Sequence, residues 1–197
     1  MKCLLVTSHP LHTSLCKSLT EHVKSSLLEA GHTAVVEDLY ATNFQPALTI
    51  SERTSYYAGE YDASNITEEV RHLQEADALV LVFPTWWFGF PAILKGWFDR
   101  VWGPGIAYEH ATDLGAIKAL LDNLQEVIVV TTLGSPWWVD RFILRQPVKR
   151  IVKLALLGTC AKKSRLQFLS LYNSEKLDEK KVLAFKKKID KALAHWK

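Results

Sequence analysis

Three short stretches gather the side chains that could do chemistry. The first is "SHPLHTSLC" (Ser8 to Cys16), with His9, His12, Thr13, Ser14 and Cys16. The second is "PTWWFGFP" (Pro84 to Pro91), with Thr85 beside Trp86, Trp87 and Phe88. The third is "TTLGSPWW" (Thr131 to Trp138), with Thr131, Thr132, Gly134 and two more tryptophans. The first suits an anion. Thr13 and Ser14 stand just before a helix predicted to begin near Leu15, whose free backbone N–H groups and positive dipole end attract negative charge. His9, at the end of a predicted strand, could donate to the same group. Plain N-capping by Thr13 or Ser14 explains the hydroxyls without any ligand. His9 and His12 form a poor metal pair, because no third ligand has a useful spacing. The glycine-rich dinucleotide fingerprint and the Walker A loop are both absent. The second stretch suits a flat aromatic ligand, which needs an apolar wall and backbone groups to read its edge. Pro84 and Pro91 stiffen that loop, and Gly89 lets the backbone come close. The bland alternative, core or dimer packing, is the better reading for Trp97, which falls at helical spacing. For Trp87 and Phe88 the loop position favours ligand contact.

These loops need elements to hold them. "CLLVTS", "TAVVEDL", Ala78 to Phe83, "EVIVVTT" and "RLQFLSLY" read as strands, apolar throughout rather than alternating. Between them lie helical patterns. One places Leu15, Leu19, Val23, Leu27 and Leu28 on a face and stops at Gly31. Another places Ile93, Leu94, Trp97, Phe98 and Val101 on a face. A third is expected over Val139 to Leu157, interrupted at Pro147 and stopped at Gly158. A last one is expected from about Glu175 to Trp196, with Val182, Phe185, Ile189, Leu193 and Trp196 facing the core. Strand–helix alternation repeated about five times predicts an open, doubly wound parallel α/β sheet in a single domain over residues 1–197. In such a sheet ligands bind outside the carboxyl ends of the strands, where all three loops fall. The stretch from Tyr40 to Ile66 is long and irregular, and a loop of that kind is functional or oligomer-forming.

Composition narrows the classes. The chain has 197 residues, 48% of them hydrophobic, and a net charge of +3. That length carries one good core, and that charge gives no argument for nucleic acid or a membrane surface. Cys3, Cys16 and Cys160 are odd in number and far apart, so a reducing cytoplasm is expected rather than a disulfide framework or metal site. No run approaches the ~18 apolar residues of a membrane span, and the N-terminal apolar run is too short for a signal peptide.

The segments "HPLHTSL", "FPTWWFGFPAILKGWFDRVW" and "VVTTLGS" resemble the NAD(P)H:quinone oxidoreductase family of flavodoxin-like fold, nearest its short bacterial members. The likeness covers nearly the whole chain. It implies a flavodoxin-like five-stranded parallel sheet of order 2-1-3-4-5, a flavin (FAD rather than FMN), a homodimer, and two-electron reduction of quinones or related acceptors by NADH or NADPH in a ping-pong cycle. Carried over by position, it places His9, Ser14, Leu15 and Cys16 at the flavin phosphate, beside Thr13 from the reading of the helix start. Pro84, Thr85, Trp87 and Phe88 come against the isoalloxazine, and Thr131, Thr132 and Gly134 at its polar edge. Tyr108, in "IAYEH", matches an aromatic that reaches the neighbouring subunit's site. Thr132, Gly134 and Tyr108 are thus the candidates for assisting a flavin-centred reaction. Trp86, at a more variable position, is assigned to packing. Two departures stand out. Cys16 replaces a polar amide, and Trp137 and Trp138 follow where the better-known enzymes carry a tyrosine and a histidine. Two alternatives stay open: a flavin-binding regulatory subunit of a membrane transporter, and a flavodoxin-type electron carrier. The lysines of "EKKVLAFKKKIDK" read as a solvated face, as do Arg141, Arg145, Lys149, Arg150 and Lys153, one of which could meet the extra phosphate of NADPH.

Overall fold

The computed structural model describes residues 1–111 and 115–196. Five strands form one parallel sheet: β1 (Lys2–Thr7), β2 (Thr33–Asp38), β3 (Ala78–Pro84), β4 (Glu126–Thr132) and β5 (Arg165–Leu171). Their spatial order is β2-β1-β3-β4-β5, the order the resemblance implied. Every residue of β3 and β4 is buried. A parallel strand covered on both faces has no solvent side, which is why these segments read as unbroken apolar runs.

The helices are α1 (Leu15–Glu29), α2 (Ile50–Ser55), α3 (Thr67–Glu75), α4 (Ala92–Val101), α5 (147–160) and α6 (Glu179–Leu193). Alternate strand residues point to opposite faces. Leu5, Val80, Val82, Ile128 and Val130 therefore meet Leu19, Val23 and Leu27 of α1 and Phe185, Ile189 and Leu193 of α6. Leu4, Leu79, Leu81, Phe83, Val127 and Val129 meet Leu73, Trp97, Val101 and Val152 on the other side. Trp97 is fully buried, and its Nε1 donates to Glu37 of β2 at 2.8 Å. His72 of α3 engages the other Glu37 oxygen at 2.8 Å, so one carboxylate ties three elements together.

Several boundaries differ from expectation. Leu28 is 51% exposed, and Cys16 takes a place on the buried face of α1 instead. The third predicted helix is two pieces. Val139–Ile143 winds in wide π turns, and Arg145 and Gln146 then break it in the left-handed region at φ 56° and 50°. Pro147 begins α5 rather than interrupting a helix, because a residue without N–H fits only the first turn. Gly158 does not stop α5. It sits inside at φ −61°, and the helix runs on to Cys160. The last helix starts after Asp178, which caps Lys181 N at 2.7 Å, and Glu175 lies in a short 3₁₀ turn ahead of it.

The stretch from Tyr40 to Ile66 is less irregular than its sequence. It carries α2, opened by a capping box in which Thr49 and Glu52 exchange hydrogen bonds of 3.1 and 2.6 Å. Glu52 is fully buried and pairs with Arg100 of α4 at 2.6 Å. The same guanidinium donates to Gln45 O at 2.6 Å. Gly96 allows this docking, since a Cβ there would sit 2.1 Å from the Pro46 carbonyl oxygen. Among the described residues no helix is long and apolar enough to cross a membrane.

Candidate functional site

The three loops meet because their strands are neighbours. Thr7 of β1 pairs with Val82 of β3, and Pro84 of β3 with Thr132 of β4. With about 4.8 Å between strands, the loops after β1, β3 and β4 share one end of the sheet, beside the β1–β3 reversal of strand order.

The first loop turns into α1 at Ser14, whose Oγ accepts from Lys17 N at 3.2 Å. The capping function read from the sequence is real, and Ser14 rather than Thr13 performs it. Among the described residues, the N–H groups of Leu15 and Cys16 have no protein acceptor, and the first turn holds no acidic residue. His9 Nδ1 accepts from Leu11 N at 3.1 Å, which aims the ring across the loop to 6.2 Å from Trp86. Trp86 is therefore half-exposed beside His9 rather than packed in the core. The Cys16 thiol is buried, 3.8 Å from Thr132 Oγ1, and burial pushes its pKa up to about 11. It is neutral and cannot repel an anion.

The second loop is a tight turn. Gly89 N donates to Trp86 O at 2.9 Å and Trp86 N to Gly89 O at 3.3 Å. The two central residues, Trp87 and Phe88, have φ of 50° and 56°. This is the geometry of a type I′ turn, whose usual occupants are Asn and Gly. Left-handed backbone costs an L-residue about 1–2 kcal/mol, and here that strain falls twice on bulky aromatics. The Trp87 side chain is 100% exposed and recovers nothing by burial. Among the described residues, the turn's N–H groups at Trp87 and Phe88 have no protein acceptor. Its base is held rigid by Phe90, whose ring lies 5.5 Å from Phe83 and 5.2 Å from Phe98.

The third loop joins the second directly. Thr85 N donates to Thr132 O at 2.8 Å, and the hydroxyls of Thr85 and Thr131 lie 2.7 Å apart. Gly134 is exposed, and a Cβ there would come within 3.1 Å of Glu175 Oε1, so the 3₁₀ turn after β5 overhangs this loop. One further residue was not singled out from the sequence. Ser8, just after β1, is fully buried, and its Oγ has no hydrogen-bond partner among the described residues. Its only signal is a hydroxyl at a strand end.

Tyr108 lies elsewhere within this chain. Its Oη is 2.6 Å from Tyr56 Oη, in a cleft of about 630 Å³ floored by Phe90, Phe98 and Trp102. Arg53 lies 5.4 and 5.2 Å from the ring centroids of Tyr56 and Tyr57, and His110 is 5.0 Å from Tyr57. Burial, then the bond to Tyr56, raise the Tyr108 phenol well above its ordinary value, so it stays protonated. Phe90 is shared by the cleft and the Trp86–Gly89 turn.

A family model described as a flavodoxin-like fold matches residues 1–196. The rat NAD(P)H dehydrogenase (quinone) 1 is 33% identical over 151 residues, covering 68% of this chain and 54% of the relative. An uncharacterized NAD(P)H oxidoreductase of Haemophilus influenzae is 36% identical over 136 residues, covering 68% and 65%. The chain thus spans about half the length of the rat relative and somewhat more of the bacterial one. The solved NAD(P)H:quinone oxidoreductase of Methanothermobacter marburgensis superposes with a TM-score of 0.82 at 29% identity, covering 100% of this chain and 98% of that one. By its strand order and by a family match over residues 1–196, the chain belongs to the flavodoxin-like fold family, where these relatives carry the names of NAD(P)H oxidoreductases.

Proposed function

We propose that this chain is a flavin-dependent NAD(P)H:quinone oxidoreductase that works as a homodimer in the cytoplasm. The observation that carries the reading is the strained Trp87–Phe88 turn. Two large aromatics are held in left-handed backbone, and Trp87, fully in solvent, gains nothing for folding from its side chain. Strain of this kind marks a binding site. The relatives' names supply the chemistry.

The residues fit a flavin. The free amides of Leu15 and Cys16, the Ser14 hydroxyl and the unpartnered Ser8 Oγ offer donors to a phosphate, with no carboxylate in the first turn of α1. Trp87 and Phe88 offer a wall and two free amides, and Thr131, Thr132 and Gly134 border it. We assign FAD over FMN.

A bound flavin supplies two-electron chemistry, accepting hydride from a nicotinamide and returning it to a quinone. The chain positions both. The rigid base at Phe90 fixes the aromatic wall, and we place donor and acceptor in turn on the open side of the flavin held against it. Two substrates sharing one slot give a ping-pong order. The Gly134 amide and the hydroxyls of Thr131 and Thr132 would stabilise negative charge at the ring edge, the Thr131, Thr132 and Leu133 amides being taken up by the sheet and by Leu171 O. The Tyr56–Tyr108 cleft is assigned to the dimer contact, where Tyr108 Oη keeps a proton for an acceptor in the partner's slot.

The test is to purify the protein, release its cofactor for mass measurement, and follow NAD(P)H oxidation with a benzoquinone. Bound FAD, parallel initial-velocity lines and a mass by light scattering of twice 22.3 kDa are expected. Protein that takes up neither FAD nor FMN overturns the reading. Flavin uptake without turnover identifies the regulatory-subunit alternative, for which Trp137 and Trp138 beyond Gly134 are the favouring feature.

A further inference from the structure

We propose that a second cleft, on the outer edge of the sheet, is a phosphate site that seats the 2′-phosphate of NADPH and makes NADPH the preferred donor. The inference rests on the hydride-donor reading above and names its substrate. The cleft measures about 230 Å³ and is lined by Trp137, Arg141, Lys149, Ser170, Tyr172 and Lys188, among others. Its three cations come from three elements: Arg141 from the π-wound turn, Lys149 from α5 and Lys188 from α6. Among the described residues, none of the three forms an ion pair or a side-chain hydrogen bond; the pairs that do form use other cations, such as Lys17, Lys95, Arg100 and Arg165. The acidic residue of the same turn, Asp140, is buried and accepts from Tyr172 Oη at 2.8 Å. No carboxylate is among the lining residues, and the one that borders them, Asp140, is engaged by Tyr172, so the three cations leave the cleft positive and a dianion seated there is attracted. Phosphate is such an anion, and arginine with lysine is a common donor set for it.

The cleft is also in the right place. Ser170 and Tyr172 lie at the carboxyl end of β5. The loop after β4 is tied to that end by Leu133 N to Leu171 O at 2.9 Å, Ser174 N to Leu133 O at 2.9 Å and Asn173 N to Ser135 O at 3.2 Å. The cleft is therefore about one strand spacing outward from Gly134. A dinucleotide whose nicotinamide lies against Trp87 can run along this edge, and Trp137 offers its adenine a flat face. NADH brings only a neutral 2′-hydroxyl to the three cations, so they discriminate between the two donors.

The test uses the flavin-loaded protein, with NADPH and NADH compared by kcat/KM and 2′,5′-ADP compared with AMP and inorganic phosphate by calorimetry. Loss of one charge-assisted contact to a phosphate is expected to change binding about ten- to a hundredfold. Arg141→Ala and Lys188→Ala should each lower the NADPH-to-NADH ratio of kcat/KM by that factor, mainly through the KM for NADPH. Lys153→Ala, on α5 but outside the cleft, should leave the ratio alone. 2′,5′-ADP should bind more tightly than AMP, and the two cleft variants should abolish the difference. Equal use of both donors, or equal affinity for 2′,5′-ADP and AMP, overturns the proposal. Phosphate binding as tightly as 2′,5′-ADP overturns it in favour of a free-anion site. If neither donor is oxidised, the oxidoreductase reading fails, while the 2′,5′-ADP comparison still decides the cleft.

Discussion

Replacing Trp87 with glycine should strengthen the fold and weaken the flavin site at once. Trp87 sits at φ 50° in the first central position of its turn, and its side chain is 100% exposed. Glycine takes left-handed backbone freely, which relieves about 1–2 kcal/mol of strain. Its greater freedom in the unfolded chain returns about 0.5–1 kcal/mol of that. No burial is lost. The flavin-free protein should gain about 0.5–1 kcal/mol, or about 1–4 °C in melting temperature for a chain of this length. Loss of an aromatic face beside the ring system should cost about 0.5–1.5 kcal/mol of binding, a flavin Kd about 2- to 12-fold weaker. Trp97→Ala is the contrast. Trp97 is fully buried and donates to Glu37 at 2.8 Å, so its truncation should cost about 3–5 kcal/mol with or without flavin. Thermal melts of both variants, flavin-free and flavin-loaded, together with a flavin titration, separate the two roles. A Trp87→Gly protein that melts lower without flavin, or binds flavin as the parent does, refutes the assignment of the turn to the cofactor.

Ser14→Asp should leave the flavin-free melt unchanged, because Asp caps a helix as well as Ser, while flavin occupancy falls as a carboxylate meets the phosphate; full occupancy on purification would remove Ser14 from the site. Gly96→Ala should destabilise by about 1–3 kcal/mol in a urea melt, despite alanine's helix propensity, because its Cβ lands 2.1 Å from the Pro46 carbonyl oxygen. Burial opposes ionisation of Glu52, but Arg100 and the Thr49 amide and hydroxyl outweigh it and hold the carboxyl below the usual carboxylate range. A depressed folded pKa contributes stability above the unfolded value of 4.5 and loses it as pH falls through the folded value, so unfolding free energy should drop on acidification below about pH 4.5. Glu52→Gln should cost about 3–5 kcal/mol at pH 7, since Arg100 is left buried without its partner, and should flatten that acid dependence.

The sequence by itself determined the sheet and the three loops. Unbroken apolar runs such as Ala78 to Phe83 carry the burial of a two-sided parallel strand in their composition, and helix spacing put Trp97 in the core. Ser14 was readable as a cap because hydroxyl, position and following helix are all local. What depends on contacts distant in the chain was not readable. Nothing in "ISERTS" announces that Glu52 is buried, because its partner Arg100 lies 48 residues away, and nothing near Gly96 announces Pro46. The start of α5 at Pro147 and its passage through Gly158 depended on two left-handed residues, Arg145 and Gln146, whose types do not encode that conformation. The strain at Trp87 and Phe88 is of the same kind. Their aromatic character was visible in the sequence, but only the closing bonds between Trp86 and Gly89, braced by Phe90 against Phe83 and Phe98, force them into left-handed backbone. Tertiary structure likewise gathered Arg141, Lys149 and Lys188 into one cleft, since cations on three separate elements share no period along the chain.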